Sequence, residues 1–167
     1  QAFKLIFLIS FALIFGICSI VSRFVPIFFG QGYELVTSLI IVISPILVVI
    51  GMSNVMGKQY LLPTKQQSSY TISICTGAVV NFVLNYVLIP KFDAIGASIA
   101  TVLAEISVTG VQCWHVRKQL NLKEYLGSFF RYFLMGFIMF ATVWGLGRVL
   151  PLNAFSLVVM IMVGIAV

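Results

Sequence analysis

Long apolar stretches alternate with short polar connections along the whole chain. A helix needs about 20 apolar residues to cross a bilayer core roughly 30 Å thick, and the apolar stretches have about that length. Backbone polar groups at that depth must be satisfied within the segment, which excludes lipid-exposed loops and open strands. The pattern predicts an all-α, polytopic transmembrane helix bundle of about six spans, the last one truncated, at residues 3–29, 35–56, 69–89, 95–115, 128–150 and 153–167.

The composition supports an integral membrane protein. Hydrophobic residues make up 61% of the chain and charged residues 8%, against about 45–50% and about 25% in soluble domains. The net charge of +6 arises from basic residues that are scattered between apolar runs and form no stripe with interleaved aromatics, so we expect no nucleic-acid partner. We expect residues 1–167 to form one transmembrane domain and to be a fragment, because the chain opens with Gln1 and stops inside an apolar stretch.

The basic residues also predict an orientation, because Lys and Arg accumulate in cytoplasmic connections. If the spans alternate, the connections Gly57 to Ser68 and Val116 to Gly127 are cytoplasmic, and the turn Pro90 to Asp93 faces outside. The cytoplasmic side then holds seven basic residues against three, namely Lys4, Lys58, Lys65, Arg117, Lys118, Lys123 and Arg131 against Arg23, Lys91 and Arg148.

Polar residues interrupt the third span at a regular spacing. Small or polar residues recur every fourth position and end in Asn81 and Asn85, which puts them on a slowly wrapping band of a helix. Polar side chains at membrane depth are costly unless they face protein, water or a substrate path. Two interpretations stay open: hydrogen bonds that hold helices together, or the lining of a cavity.

The fourth span carries a small-residue row at Gly96, Ala100 and Ala104, and a polar face beside it with Thr101 and Glu105, together with Ser98, Thr109 and Gln112. Glu105 lies near the middle of the span. A carboxylate at that depth is protonated, or it finds a cation, hydrogen-bond donors or water. Glu105 is therefore a candidate either for coupling to a proton or sodium ion or for a structural hydrogen bond.

Three residues outside this pair of spans are further candidates. Arg23 shares a helical face with small residues, so it either snorkels to the outer interface or attracts an anionic group such as a phosphate. Pro45 lies inside the second span and cannot donate a hydrogen bond to the carbonyl of Ile41, which kinks or loosens the helix. Pro45 and Gly51 are the candidate hinges.

The sequence offers little for catalysis or cofactor binding. His115 is the single histidine, and the chain has no phosphate loop, nucleophile elbow or cluster with metal-ligand spacing. We therefore expect no enzyme activity, no metal and no cofactor.

The order of the motifs resembles a known exporter family. PIFFG closes the first span, a proline-bearing span follows, GKQYLLPTKQQSSYT opens the third, and N-x-x-x-N, LIPKF and DAIGASIATVxAE come after it. This order is similar to the polysaccharide transporter branch of the multidrug/oligosaccharidyl-lipid/polysaccharide exporter superfamily, which includes Wzx-type O-antigen and capsule repeat-unit flippases. The chain has Asp93 where the family commonly has Gly, which adds an acid at the outer turn.

The resemblance implies a fold of 12 to 14 helices in two lobes, of which this chain would supply the later part of the second lobe. It implies a multi-pass protein of a bacterial inner membrane that flips an undecaprenyl-pyrophosphate-linked oligosaccharide by alternating access during polysaccharide biosynthesis. Its partners would be the lipid-linked oligosaccharide, membrane lipid and a coupling ion, proton or sodium. Asn81, Asn85, Thr101 and Glu105 would bind sugar or water, and Arg23 the pyrophosphate. A drug or cation antiporter of the same superfamily, and a membrane-embedded glycan polymerase or ligase, are the alternatives.

Overall fold

The computed structural model describes residues 1–120, 122–149 and 154–166, and within these ranges every regular element is helical. The expected ends of the last two spans at residues 150, 153 and 167 lie outside the described residues, as does the side chain of Lys123. The helices in chain order are α1 (Ala2–Phe28), α2 (Glu34–Ile43), α3 (Ile46–Asn54), a π-helix (Val55–Leu61), α4 (Gln67–Val116), α5 (Leu122–Val149) and α6 (Ala154–Ala166).

A stripe of phenylalanines joins α1 to α5. Phe3, Phe7 and Phe11 recur every fourth residue on α1 and are buried, because this spacing keeps side chains on one face of a helix. Phe129 of α5 packs edge-on against Phe7 and Phe11, with ring centroids 5.4 and 5.0 Å apart. Such pairs contribute about 0.5–1.5 kcal/mol each beyond the area they bury. The aromatic stripe therefore fixes the α1–α5 pair at the predicted cytoplasmic end.

The second apolar stretch is broken at Ser44 and Pro45, between α2 and α3. Proline lacks the N–H that would reach the carbonyl of Ile41, and the hydroxyl of Ser44 donates to that carbonyl instead, at 2.9 Å. Beyond α3 the chain stays helical through a π-helix as far as Leu61. The structure thus replaces the first part of the expected Gly57 to Ser68 connection with a helix, because Val55, Met56 and Leu61 are buried in the core.

Helix α4 is a hairpin of two arms, residues 67–92 and residues 94–116. Asp93 between them has φ 48° and ψ −128°, a backbone conformation outside the helical region. Contacts between the arms join residues about equally far from Asp93: Gly77 lies against Val108, and Gln112 donates a hydrogen bond to Ser73. The arms therefore pack antiparallel, and we call them the first and second arms of α4.

The described residues contain four helices long and apolar enough to cross a membrane, at Ala2–Phe28, Glu34–Leu61, Gln67–Val116 and Tyr125–Arg148, and a shorter apolar helix at Phe155–Gly164. Each arm of α4 exceeds the about 20 residues that a crossing requires. The polytopic all-α bundle predicted from the sequence is confirmed.

Candidate functional site

A polar cleft opens between α3 and the two arms of α4. Its volume is about 460 Å³, within the roughly 300–1,000 Å³ typical of small-molecule sites. The apolar part of its wall includes Tyr70, Ile74 and Val108. The polar side chains that line it are Ser53, Asn54, Asn81, Thr101, Glu105 and Gln112.

Three of the predicted site residues meet in this cleft: Asn81 from the first arm, and Thr101 and Glu105 from the second. Asn85 lies one turn beyond Asn81 and does not line the cleft, but its Nδ2 donates to Asn81 Oδ1 at 2.8 Å. Arg23 is not part of the cleft lining either. The structure therefore brings together the candidates of the third and fourth spans and leaves the candidate of the first span elsewhere.

The hydrogen bonds of these side chains favour cavity lining over helix packing. The Asn85–Asn81 bond stays within the first arm, and Thr101 donates to the carbonyl of Ala97 one turn earlier on the second arm, at 2.9 Å. Glu105 has no hydrogen-bond or ion-pair partner among residues 1–120, 122–149 and 154–166. None of these groups ties one arm to the other, so their polar capacity is available to whatever occupies the cleft.

Small residues hold the arms together instead. Ala100 and Ala104 of the second arm are buried, and a Cβ at Gly77 would overlap Cγ2 of Val108. Small residues allow helix backbones to approach closely inside a membrane. The small-residue row predicted from the sequence is therefore the contact surface, and the polar face beside it is left to line the cleft.

Gln112 is the polar residue that the sequence left outside the proposed site, although it shared a helical face with Glu105. Its side chain is fully buried, and its Nε2 donates to Ser73 Oγ at 3.2 Å. Ser73 in turn donates to the carbonyl of Tyr70 at 2.6 Å. Oε1 of Gln112 has no hydrogen-bond partner within the described chain. The four-residue spacing of Ser73, Gly77 and Asn81 contained the signal for this extension of the site.

The π-helix shapes the same end of the cleft. Gly57 is buried, and a Cβ there would lie 2.7 Å from the ring of Tyr70 and 3.0 Å from Nε2 of Gln112. A side chain at residue 57 would displace both groups. π-Helical turns are often found at functional sites, and here the turn lets Tyr70 and Gln112 pack directly on the backbone.

Arg23 lies half-buried on α1, on the side that faces α5. Its Nε is 3.3 Å from the point where a Cβ at Gly147 would be. The missing side chain at Gly147 therefore makes room for the guanidinium between the helices. Arg23 points into the bundle, and its contact with a phosphate group stays a prediction.

The two hinge candidates differ in their surroundings. Pro45 stands at the break between α2 and α3, where Ser44 Oγ also lies 3.4 Å from Cys18 Sγ of α1. Gly51 lies inside α3, and a Cβ there would overlap the side chain of Ile6 on α1. Gly51 therefore serves a close helix contact in this conformation, and its role as a hinge stays a prediction.

The described residues hold no group of three or more His, Cys, Asp and Glu side chains that could bind a metal ion. The cleft itself has one carboxylate, from Glu105, among its lining residues. Its remaining polar groups are amides and hydroxyls, which hydrogen-bond neutral polar molecules.

No protein-family model matches the sequence. A candidate O-antigen transporter of Escherichia coli (strain K12) is 29% identical over 96 residues, which cover 58% of this chain and 23% of that protein. Among solved structures, lipid II flippase MurJ in an inward closed conformation matches 98% of this chain with a TM-score of 0.83 and 19% sequence identity. The matched region covers 35% of the MurJ chain, so this chain spans about a quarter to a third of these two proteins.

These findings establish the fold. It is the fold of MurJ, and the resemblance of the sequence to polysaccharide transporters agrees with the match to the candidate O-antigen transporter. Both matched proteins are named as a transporter or a flippase and neither as an enzyme. The expectation of a multi-pass membrane protein is supported by the four described helices that are long and apolar enough to cross a membrane.

Proposed function

We propose that the protein flips an undecaprenyl-pyrophosphate-linked oligosaccharide across the plasma membrane by alternating access, as a step of polysaccharide biosynthesis. This chain would form the later part of the second lobe, with five complete membrane spans and a truncated sixth. The fold match to a lipid II flippase and the sequence match to a candidate O-antigen transporter support this assignment. One of these proteins is named for lipid II and the other for O-antigen.

The polar cleft is the observation that carries the proposal. A cavity with amides, hydroxyls and a carboxylate is costly inside a membrane unless its groups meet a polar ligand or water. Asn81, Thr101 and Glu105 form no hydrogen bond across the α4 arms. Their retention in the cleft is explained if a sugar passes along it.

A second cavity has the opposite character. A groove of about 670 Å³ between α1, α5 and α6 is lined almost entirely by apolar side chains such as Leu13, Met139 and Ile161. Hydrocarbon chains fit such a surface because it offers few groups that need hydrogen bonds. A molecule with a polar head and a polyprenyl tail would use both kinds of surface, which supports a lipid-linked substrate.

Glu105 is the proposed coupling residue, for a proton or for sodium. Among the described residues it is the only carboxylate that lines the cleft, so a change in its protonation or ion binding would alter the polarity of the substrate path. In a cell that lacks the native exporter, Glu105→Gln should abolish the dependence of glycan export on the ion gradient. Unchanged export with an unchanged gradient dependence would exclude this role.

The cleft can be tested by exchanging neighbouring residues on the first arm. Asn81→Leu replaces a cleft amide with an apolar group, and we expect it to lower the rate at which lipid-linked repeat units reach the outer leaflet at least tenfold. Phe82→Leu is the matched control, because Phe82 is 76% exposed on the outer face of the arm. Equal export by the two variants at equal protein levels would contradict the proposal.

A drug or cation antiporter is the second candidate function. The observation in its favour is an unpartnered carboxylate in a cleft whose lining includes no Lys, Arg or His, which suits a cationic molecule. The same deletion strain separates the two. An antiporter would restore resistance to cationic drugs, whereas a flippase would restore surface glycan.

A further inference from the structure

We infer that the polar cleft binds the uncharged sugar part of the lipid-linked substrate, and that Oε1 of Gln112 accepts a hydrogen bond from a hydroxyl or amide N–H of that sugar. This inference rests on the proposed function and names the part of the substrate that this site takes. The pyrophosphate would bind outside the cleft.

The first argument is the unused acceptor at Gln112. Its amide nitrogen is engaged by Ser73, while Oε1 is buried and has no partner in the part of the chain that the structure describes. Buried polar atoms are hydrogen-bonded in the great majority of cases, and an exception indicates either strain or an occupant such as a ligand, an ion or a water molecule. Because Gln112 forms part of the cleft wall, a polar occupant of the cleft supplies the missing donor.

The second argument is the preset geometry of that acceptor. The chain of hydrogen bonds from Gln112 to Ser73 and from Ser73 to the carbonyl of Tyr70 fixes the amide plane. Gly57 lets the same amide pack on the backbone of the π-helix. An acceptor held in one orientation before binding loses less conformational freedom when a ligand arrives. This arrangement therefore suits recognition of a donor at a fixed position.

The third argument is charge. In the part of the chain that the structure describes, no Lys, Arg or His lines the cleft. Phosphate recognition in proteins depends on Arg or Lys, or on exposed backbone N–H groups. Glu105 adds an acid. A pyrophosphate gains no cationic partner here, whereas the hydroxyl and amide groups of a neutral sugar match the amides and hydroxyls of the wall.

The fourth argument is the length of the polar surface. Thr101 and Gln112 both line the cleft and are 11 residues apart on one helix, which corresponds to about 16 Å at 1.5 Å per residue. The ring of Tyr70 adds a flat apolar wall. A surface of this extent can contact more than one sugar ring along its length.

The test uses the full-length transporter in lipid nanodiscs and three probes. These are undecaprenyl pyrophosphate alone, the same lipid with one N-acetylglucosamine, and the same lipid with one galacturonic acid. For the unmodified protein we expect N-acetylglucosamine to tighten equilibrium binding about tenfold over the sugar-free lipid, and galacturonic acid to tighten it less. Equal affinity for the neutral and acidic sugars, or no gain from the neutral sugar, would overturn the inference.

Gln112→Met keeps the size of the side chain and removes the acceptor. We expect it to weaken binding of the N-acetylglucosamine lipid about fivefold, as expected for one hydrogen bond, and to leave the sugar-free lipid unchanged. Gln119→Met is the matched control, because Gln119 is exposed and does not line the cleft; we expect less than a twofold change with either lipid. If Gln112→Met weakens both lipids equally, or neither, Oε1 does not contact the sugar.

A labelling measurement does not depend on folding of the Gln112 variant. Ala78 lines the cleft, and Ala78→Cys in a Cys75→Ser background gives a thiol there. The N-acetylglucosamine lipid should slow its alkylation, and the sugar-free lipid should not. Equal protection by both lipids would overturn the inference. A protein that binds none of the three probes and exports no glycan would instead refute the proposed function.

Discussion

The close contact between the arms of α4 predicts a large effect from one methyl group at Gly77. A Cβ at this residue would overlap Cγ2 of Val108 and lie 3.4 Å from the carbonyl oxygen of Ala104. Val108 cannot turn aside easily, because a β-branched side chain in a helix has one strongly preferred rotamer. Overpacking of this kind costs about 1–3 kcal/mol, and the better helix propensity of alanine returns at most about 1 kcal/mol.

Gly77→Ala should therefore lower the free energy of unfolding by about 1–2 kcal/mol and lower the thermal midpoint in detergent. Gly110→Ala on the second arm is the control, since a Cβ there would meet no atom within 4 Å; it should leave the midpoint unchanged or raise it. In a Val108→Ala background the overlap is removed, so Gly77→Ala should lower the thermal midpoint less there than it does in the unmodified protein. A midpoint for Gly77→Ala equal to that of Gly110→Ala would refute the close packing of the arms.

Two further predictions concern the backbone. Asp93 is exposed and has φ 48° with ψ −128°, a conformation that strains residues other than glycine by about 1–3 kcal/mol. Asp93→Gly should therefore raise the free energy of unfolding by about 1 kcal/mol, after the larger backbone entropy that glycine loses on folding is subtracted. Asp93→Ala should not raise it. The same gain from both substitutions in chemical denaturation would disprove the strain. Pro45→Ala restores an N–H for the carbonyl of Ile41, so it should straighten the α2–α3 break, raise the thermal midpoint and slow glycan export several-fold. A raised midpoint with normal export would show that the break is not a hinge.

The apolar periodicity of the sequence was sufficient for the bundle and for the position of its main turn. Apolar stretches of this length can cross a membrane as helices, and a helix satisfies its backbone hydrogen bonds within the segment, as lipid requires. The four-residue spacing also placed Asn81 on a polar band and Ala100 on a packing row, because residues four apart share a face of any helix. The expected outer turn at Pro90 to Asp93 contains the point in α4 where the backbone leaves the helical region.

The local sequence pattern could not show that the second apolar span continues beyond Asn54 as a π-helix. The π-helix places Gly57 against Tyr70 and Gln112, and the contacts that stabilise it come from residues distant in the chain. The stripe of Phe3, Phe7 and Phe11 is similar: its spacing is visible in the sequence, but its partner helix α5 is set by tertiary packing. In a uniformly apolar chain, hydrophobicity distinguishes poorly between lipid-facing and protein-facing sides of a helix.

The sequence by itself thus determined that Asn81, Thr101 and Glu105 lie on faces of two neighbouring helices. Only the tertiary structure decided that those faces open into one cleft, that Gln112 joins them, and that Arg23 lies against α5 instead. The physical reason is that helical periodicity fixes directions around one axis. The rotation of one helix relative to another depends on which small residues make contact, here Gly77 and Ala104.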